Sequence, residues 1–391
     1  MSTQKRSRLD WLVASRGYAM YGIFLGHILT SLGFDHGHHA HDHPLLHFIG
    51  RYLDPMLIPF FVLIIGAFYS RTGSGFADYA KLKFGQRMLP VYLYLLLVIP
   101  FYFIFPVGGG SGWDSVARIP MYLLGIPWLN WPSWFLIALF VAEILHYFIQ
   151  PRFKKPRQVL LLALTLFTLG WLFNYYKFEH PTLFFLGMIW MIHACPLFLS
   201  LLLLGSLLKK QLIKMTQWPV HKVLLLGIAA TSILVLAVEL NTYPMLPKEH
   251  GLHNFVPNDR IANMFGQYGQ YLWFLLAVIA GPIAFTCFCR LAPVNRFIRS
   301  CGDYSLVLLG LNGIFLNVLN VRLVGLFSHT TESDALLLAY CMLLAFASLA
   351  ACLGLAMVLD KYLPQLCGKP MLKGPILPAL YNKPKTKKAT A

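Results

Sequence analysis

The chain has 391 residues, 58% of them hydrophobic and 12% charged, where a soluble domain carries about 25% charged residues. Too little polar surface is present to face water, which excludes a soluble enzyme, a disordered chain and a disulfide-stapled secreted domain, and leaves a multispanning membrane protein. The net charge of +17 lies in short runs between apolar stretches and forms no basic face, so no nucleic-acid partner is expected.

Crossing ~30 Å of hydrocarbon takes ~20 predominantly apolar residues in a helix. Such windows occur at 10–33, 48–70, 88–106, 129–150, 158–175, 181–208, 221–240, 268–289, 303–327 and 335–359. None alternates every second residue as barrel strands do. The expected fold is all-α, a polytopic integral membrane protein with about ten transmembrane helices in one domain, residues 1–360. Residues 361–391 form a basic, Pro-rich tail expected to lie along the anionic inner leaflet. With the N-terminus in the cytoplasm, 26 of the 32 lysines and arginines fall on the inner side, so both termini are expected to be cytoplasmic. The apolar run after Arg16 is too long for the core of a cleavable signal peptide. All seven cysteines fall in spans or on the inner side, and no disulfide framework is implied.

In the first span, Arg16 and His27 stand 11 residues apart. Eleven steps of ~100° bring both onto one helix face, about 16 Å apart along the axis. An ionisable group inside a span is expensive and so marks a candidate site. The small residues Gly17, Ala19, Gly22 and Gly26 let a neighbouring helix or a ligand approach closely. A mid-membrane imidazole suits general-base work; a histidine hydrogen-bonded between helices is the equal alternative.

The loop after this span holds His36, His38, His39, His41 and His43. A transition-metal site, a pH-sensitive patch and a plain polar loop are all compatible with it. In the second span, Arg51 and Asp54 either meet a polar substrate or pair with each other. Gly108 to Gly110, Ser111 and Gly112 read as a flexible turn. Glu143 and His146, three apart in the fourth span, read as interfacial polar residues or as a proton path. His193 in the sixth span reads as a packing histidine.

Five segments in order then carry a resemblance. Arg16-Gly17 followed by an apolar run to Gly26-His27 resembles the opening signature of the acyltransferase-3 family of membrane acyltransferases. Pro59 to Gly66 is similar to its Phe-rich second span, and Arg87-Met88-Leu89-Pro90 to its entry to the third. Trp134-Phe135-Leu136 and Gly302-Asp303-Tyr304-Ser305-Leu306 resemble two later motifs. The chain departs from the family at Val13, where an acidic residue is usual, at Phe84, where a second arginine is common, and at Ser133 and Asn312, where histidines can stand.

The resemblance implies transfer of an acetyl or succinyl group from cytoplasmic acyl-coenzyme A, most simply acetyl-CoA, to a cell-surface or periplasmic glycan, in a bacterial inner membrane and without a metal. His27 would be the catalytic base or an acyl relay, with Arg16 its partner. Arg16, Arg87 and Lys83 would grip the donor phosphates. Arg51, Asp54, Trp134 and Asn312 are expected to meet the acceptor, and Tyr21, Asn312 or Asn317 to stabilise the oxyanion. The rival reading is a metal-ion or proton-coupled transporter using the histidine loop. It lacks carboxylates beside His27 and His193 at mid-membrane.

Overall fold

Inside a bilayer no water satisfies a backbone N–H or C=O, so a long apolar run must bond within itself as a helix. The computed structural model describes residues 10–35, 43–69, 75–105, 111–178, 180–243, 260–328 and 333–381, and these are helical with no named strand. The chain runs α1 (Asp10–Asp35), α2 (Pro44–Ala67) and α3 (Phe76–Ile104), then two short helices, α4 (Gly112–Ala117) and α5 (Ile119–Leu123). There follow α6 (Trp134–Ile149), α7 (Pro156–Lys177), α8 (Pro181–Met188), α9 (Cys195–Met215), α10 (Val220–Glu239) and α11 (Tyr271–Leu291). The last group is α12 (Arg296–Asp303), α13 (Ser305–Ile314), α14 (Asn320–Ser328) and α15 (Asp334–Tyr362).

Among the described residues nine helical stretches are long and apolar enough to cross a membrane, and they correspond to the last nine expected spans. α1 is long enough, at 26 residues or about 39 Å, yet is not one of the nine. Its polar side chains are accommodated by the bundle, for α1 packs against α2, α11, α12, α13, α14 and α15. The inner ends of α1 and α15 share one face. Asp10 pairs with Arg299 and Asp360 with Lys369 there, while Asp334 meets His43 at the other end. This common face is the one to which the lysine and arginine distribution assigns the cytoplasm.

Three features depart from the expectations. α3 begins twelve residues before the apolar window, because its first turns carry Asp78, Lys81, Lys83 and Arg87. The sixth span is broken: Trp190 (φ 51°) and Met191 (φ 53°) adopt left-handed backbone between α8 and α9, a conformation that costs about 1–3 kcal/mol per residue and needs support from its surroundings. The support is the turn at Leu124–Gly125, where Trp190 N–H donates to the Leu124 carbonyl at 3.2 Å. The tail, finally, packs in part against the bundle instead of lying only along the leaflet. Pro364, Gln365 and Cys367 are buried, and Gln365 donates to the carbonyls of Leu372 and Leu377. Gly85 on α3 abuts Pro370 and Tyr381.

One of two very close helix approaches joins two motifs, the other being that of α2 and α9 at Gly66 and Gly205. A Cβ on Gly17 would lie 2.0 Å from the Ile298 carbonyl oxygen, and one on Gly302 1.9 Å from that of Val13. α1 and α12 thus touch backbone to backbone. Gly302→Ala is expected to cost about 1–3 kcal/mol by overpacking, seen as a lower melting temperature in detergent. Gly354→Ala, in α15 with nothing within 4 Å of the new methyl, should be neutral or stabilise by up to about 1 kcal/mol.

Candidate functional site

α1 and α13 both leave the Gly17–Gly302 crossing toward the outer side. His27 and Asn312 each lie ten residues beyond it, His27 by roughly 15 Å of helical rise on α1 and Asn312 on α13 after the turn at Tyr304. They meet there: the Asn312 amide nitrogen is 2.6 Å from His27 Nδ1. Asn312 is 1% exposed and its Oδ1 has no partner, while His27 is half-buried. Asn312 Nδ2, pointed at Nδ1, leaves the ring proton on Nε2. An amide has nearly the same shape turned over; with Oδ1 in that place it accepts a proton from Nδ1, and Nε2 becomes a free base. The 2.6 Å separation is short for nitrogen to nitrogen and closer to N–H···O contacts.

α13 is held from its other side as well. Asn130 Nδ2 donates to the Gly310 carbonyl at 3.0 Å, and a Cβ at Gly310 would strike the Tyr94 ring. Directly after Ile314 the helix widens into a π-turn, Phe315–Leu319, a distortion common at functional sites. Asn317, on that turn, accepts from Trp131 N–H at 3.3 Å and donates to the Trp128 carbonyl at 3.5 Å. Tyr21 is likewise engaged, donating to the Met342 carbonyl at 3.1 Å.

Arg16 is half-buried one residue before the crossing and lies in the electrostatic field of Asp303. Asp303 on α12 thus adds a negative charge to the surroundings of Arg16, an arrangement no local spacing in the sequence reveals. Arg16 and His27 share α1 without touching.

Lys83 and Arg87 form a second cluster, around Glu143. Lys83 Nζ donates to Glu143 Oε1 at 2.5 Å, and Arg87 Nε donates to Oε2 at 2.9 Å. Glu143 and His146 are both 0% exposed, which corrects their reading as interfacial residues. α6 turns this face into the bundle, and two cations on α3 pair with the carboxylate. His146 packs edge-on against Tyr69 at 4.4 Å and has no hydrogen bond at either ring nitrogen. One carboxylate between two cations leaves the cluster an excess positive charge.

The residues expected on the outer side have separate tasks. Arg51 and Asp54 do not pair with each other. Arg51 Nη1 pairs with Glu239 at 3.0 Å, and the Asp54 carboxylate accepts from Asn263 N–H at 2.7 Å. Trp134 is 6% exposed among Phe135 and Phe198. His193 sets its two ring nitrogens 2.8 Å from the carbonyls of Gly187 and Met264, as a packing histidine does. His36, His38, His39 and His41 lie outside the described residues, as do Gly108 to Gly110. His43 Nδ1 is 2.8 Å from Asp334. All seven cysteines are free and buried.

The acyltransferase-3 family model, described as an acyltransferase domain, matches residues 9–357. The chain belongs to that family: it is a membrane acyltransferase by membership, built as an all-α polytopic bundle. Neither the curated proteins nor the solved structures contain a significant match.

Removing one partner of a buried ion pair strands the other charges and costs about 3–5 kcal/mol. Glu143→Gln is therefore expected to lower the melting temperature in detergent far more than Lys83→Gln, which leaves Arg87 on the carboxylate. Equal melting temperatures for the two variants would contradict this account of the cluster.

Proposed function

We propose that this protein transfers an acetyl or succinyl group from cytoplasmic acyl-coenzyme A to a hydroxyl of a cell-envelope glycan, in a bacterial inner membrane. The observation that carries the reading is the His27–Asn312 contact, deep in the bundle and within the span of the acyltransferase domain. With the Asn312 amide turned so that Oδ1 in place of Nδ2 faces Nδ1 and accepts its proton, His27 Nε2 takes the proton of the acceptor hydroxyl. The hydroxyl oxygen forms the new bond to the thioester carbonyl, the carbon–sulfur bond breaks, and the proton passes from His27 to the departing thiolate. Ester and free thiol are the products, and the base is regenerated.

Arg16 stands between the inner face and His27 on one helix face, where a guanidinium matches phosphate geometry. Lys83 and Arg87 contribute the field of their net positive cluster, with Arg87 Nε and one Lys83 N–H already on Glu143. Of the small residues on α1, Gly22 is filled against by Leu57, while Gly26 leaves room near His27. Gly26 has only Leu53 side-chain atoms near its Cβ position, at 3.4 Å and beyond.

The test is acetyl transfer from labelled acetyl-CoA to envelope glycan by the purified protein in proteoliposomes. Loss of a general base typically costs 10²–10⁴ in rate, so His27→Ala should fall by about that factor with its melting temperature near wild type. Asn312→Leu should lower kcat more than the KM for donor, and Asn312→Asp, which keeps an oxygen facing Nδ1, should recover much of the loss. Wild-type turnover by His27→Ala would sink the proposal.

A further inference from the structure

Residues 260–270, between α10 and α11, are not helical, yet they run through the bundle: Ile261, Asn263, Gln267 and Tyr268 are 1–3% exposed. Loops ordinarily stay at the surface, because a buried one carries backbone groups that water cannot reach. Here side chains of other elements supply the partners. Ala262 and Gln267 exchange N–H to carbonyl bonds at 2.9 and 3.1 Å, which closes residues 262–267 into a turn. At its tip, Asn263 N–H donates to the Asp54 carboxylate at 2.7 Å, and Lys177 Nζ donates to the Phe265 carbonyl at 2.5 Å. Beyond it, Asn241 Nδ2 and the Trp171 indole N–H donate to the carbonyls of Tyr268 and Gly269, each at 2.9 Å.

The turn lies across the outer approach to the candidate base. Its Asn263 end is held by Asp54 on α2, and the preceding residue, Leu53, comes within 3.4 Å of a Cβ built on Gly26, the neighbour of His27. Its Phe265 ring packs on Trp131 with centroids 5.7 Å apart. Trp131 N–H in turn donates to Asn317, on the π-turn just past Asn312. The turn thus bridges from α2, at the level of His27, to the helix that carries Asn312.

The carbonyl of Met264 has an unusual partner. His193 Nε2 is 2.8 Å from it, and His193 Nδ1 is 2.8 Å from the Gly187 carbonyl, with the histidine 0% exposed. A carbonyl oxygen only accepts, and a neutral imidazole has a single N–H. Both contacts are hydrogen bonds only when the ring is an imidazolium; the neutral ring must set a lone pair against one of the two oxygens. The charged and titratable groups facing this cluster, among the described residues, are Lys177 from α7, Asp54 from α2, and Arg260 and Tyr268 from the segment itself. α8 contributes no charged residue, α6 meets Trp190 with Phe140, and α9 begins with the buried thiol of Cys195.

From this geometry we infer that the 262–267 turn is the outer gate to His27 and that His193 is its latch. The imidazolium bonds Gly187 and Met264 together and holds the turn in the bundle. When the ring gives up one proton, the Met264 carbonyl loses its donor and the turn is released. Histidine is the side chain that makes this change between about pH 5 and 8. The identity of what passes, the glycan acceptor, rests on the proposed acyl transfer; the latch itself does not.

The experiment is hydrogen exchange by mass spectrometry on the full-length protein in nanodiscs, from about pH 5 to about pH 8, corrected for intrinsic exchange. Protection of residues 260–270 in wild type should fall about tenfold or more as pH rises, the worth of one charge-assisted hydrogen bond. The neighbouring α11 should keep its protection throughout. In His193→Gln, which donates a hydrogen bond without titrating, the turn should exchange alike at both ends of the range. NMR of wild type carrying isotope-labelled histidine should show a ring with two N–H groups at the acidic end, absent from His193→Gln.

Protection of the turn that does not change with pH in wild type, or that changes equally in His193→Gln, overturns the inference. Should His193→Gln lose protection in α11 as well, and so fail to fold, the wild-type spectrum decides: a His193 ring that stays neutral throughout overturns the latch. Acetyl transfer in proteoliposomes separates this inference from the proposed activity. A turn that opens with pH in a protein that transfers no acyl group counts against the activity and leaves the latch standing. Acyl transfer in which wild type and His193→Gln share one pH dependence of the acceptor KM counts against the gate alone.

Discussion

The contact on which the site depends contains no side chains. At Gly17 and Gly302 two helices meet so closely that the carbonyls of Ile298 and Val13 occupy the space of a methyl group. Along α1, which rises about 1.5 Å per residue, the crossing fixes the level of His27. Asn312 reaches that level on α13, after the turn at Tyr304 that separates it from α12. Arg16 and Asp303 are each adjacent to one of the glycines, which brings Arg16 into the field of Asp303. Backbone contact also sets this register more firmly than flexible side chains would, since neither carbonyl can rotate aside.

Around that axis the protein handles charge in two ways. Glu143, Lys83 and Arg87 form an ion-paired group around a buried carboxylate. The His27–Asn312 pair is open by comparison, for Asn312 Oδ1 has no partner. Burying a polar atom without a partner is unfavourable, and the ion-paired group limits that cost by bringing two cations to one carboxylate.

Much of this was legible in the sequence, for identifiable reasons. Apolar runs near 20 residues have no alternative to helix in lipid, so the spans and the charge-biased face could be read directly. His27 and Arg16 stood out because their cost in a membrane is high and their spacing puts them on one face. Asn312 was marked only by its place at the end of a motif, and its contact with His27 crosses 285 positions that no local pattern encodes. Glu143 was misplaced because hydropathy counts a carboxylate near a helix end as interfacial, whatever cation the fold brings to it. The start of α3 was missed for the complementary reason: four charged residues hide a helix from an apolar window. The break at Trp190 and Met191 carries neither glycine nor proline at the turning residues, so the usual marks of a kink were missing.

The separation of the paired residues along the chain has a consequence for biosynthesis. Arg87 leaves the ribosome 56 residues before Glu143, an interval of about 3–11 s at 5–20 residues per second. Through that interval the two cations on α3 have yet to meet the carboxylate that pairs with them in the folded bundle. His27 waits longer: 285 residues separate it from Asn312, about 14–57 s of synthesis at the same speed. The candidate base therefore has its partner only when nearly the whole bundle is in the membrane, and an unfinished chain cannot present a competent site.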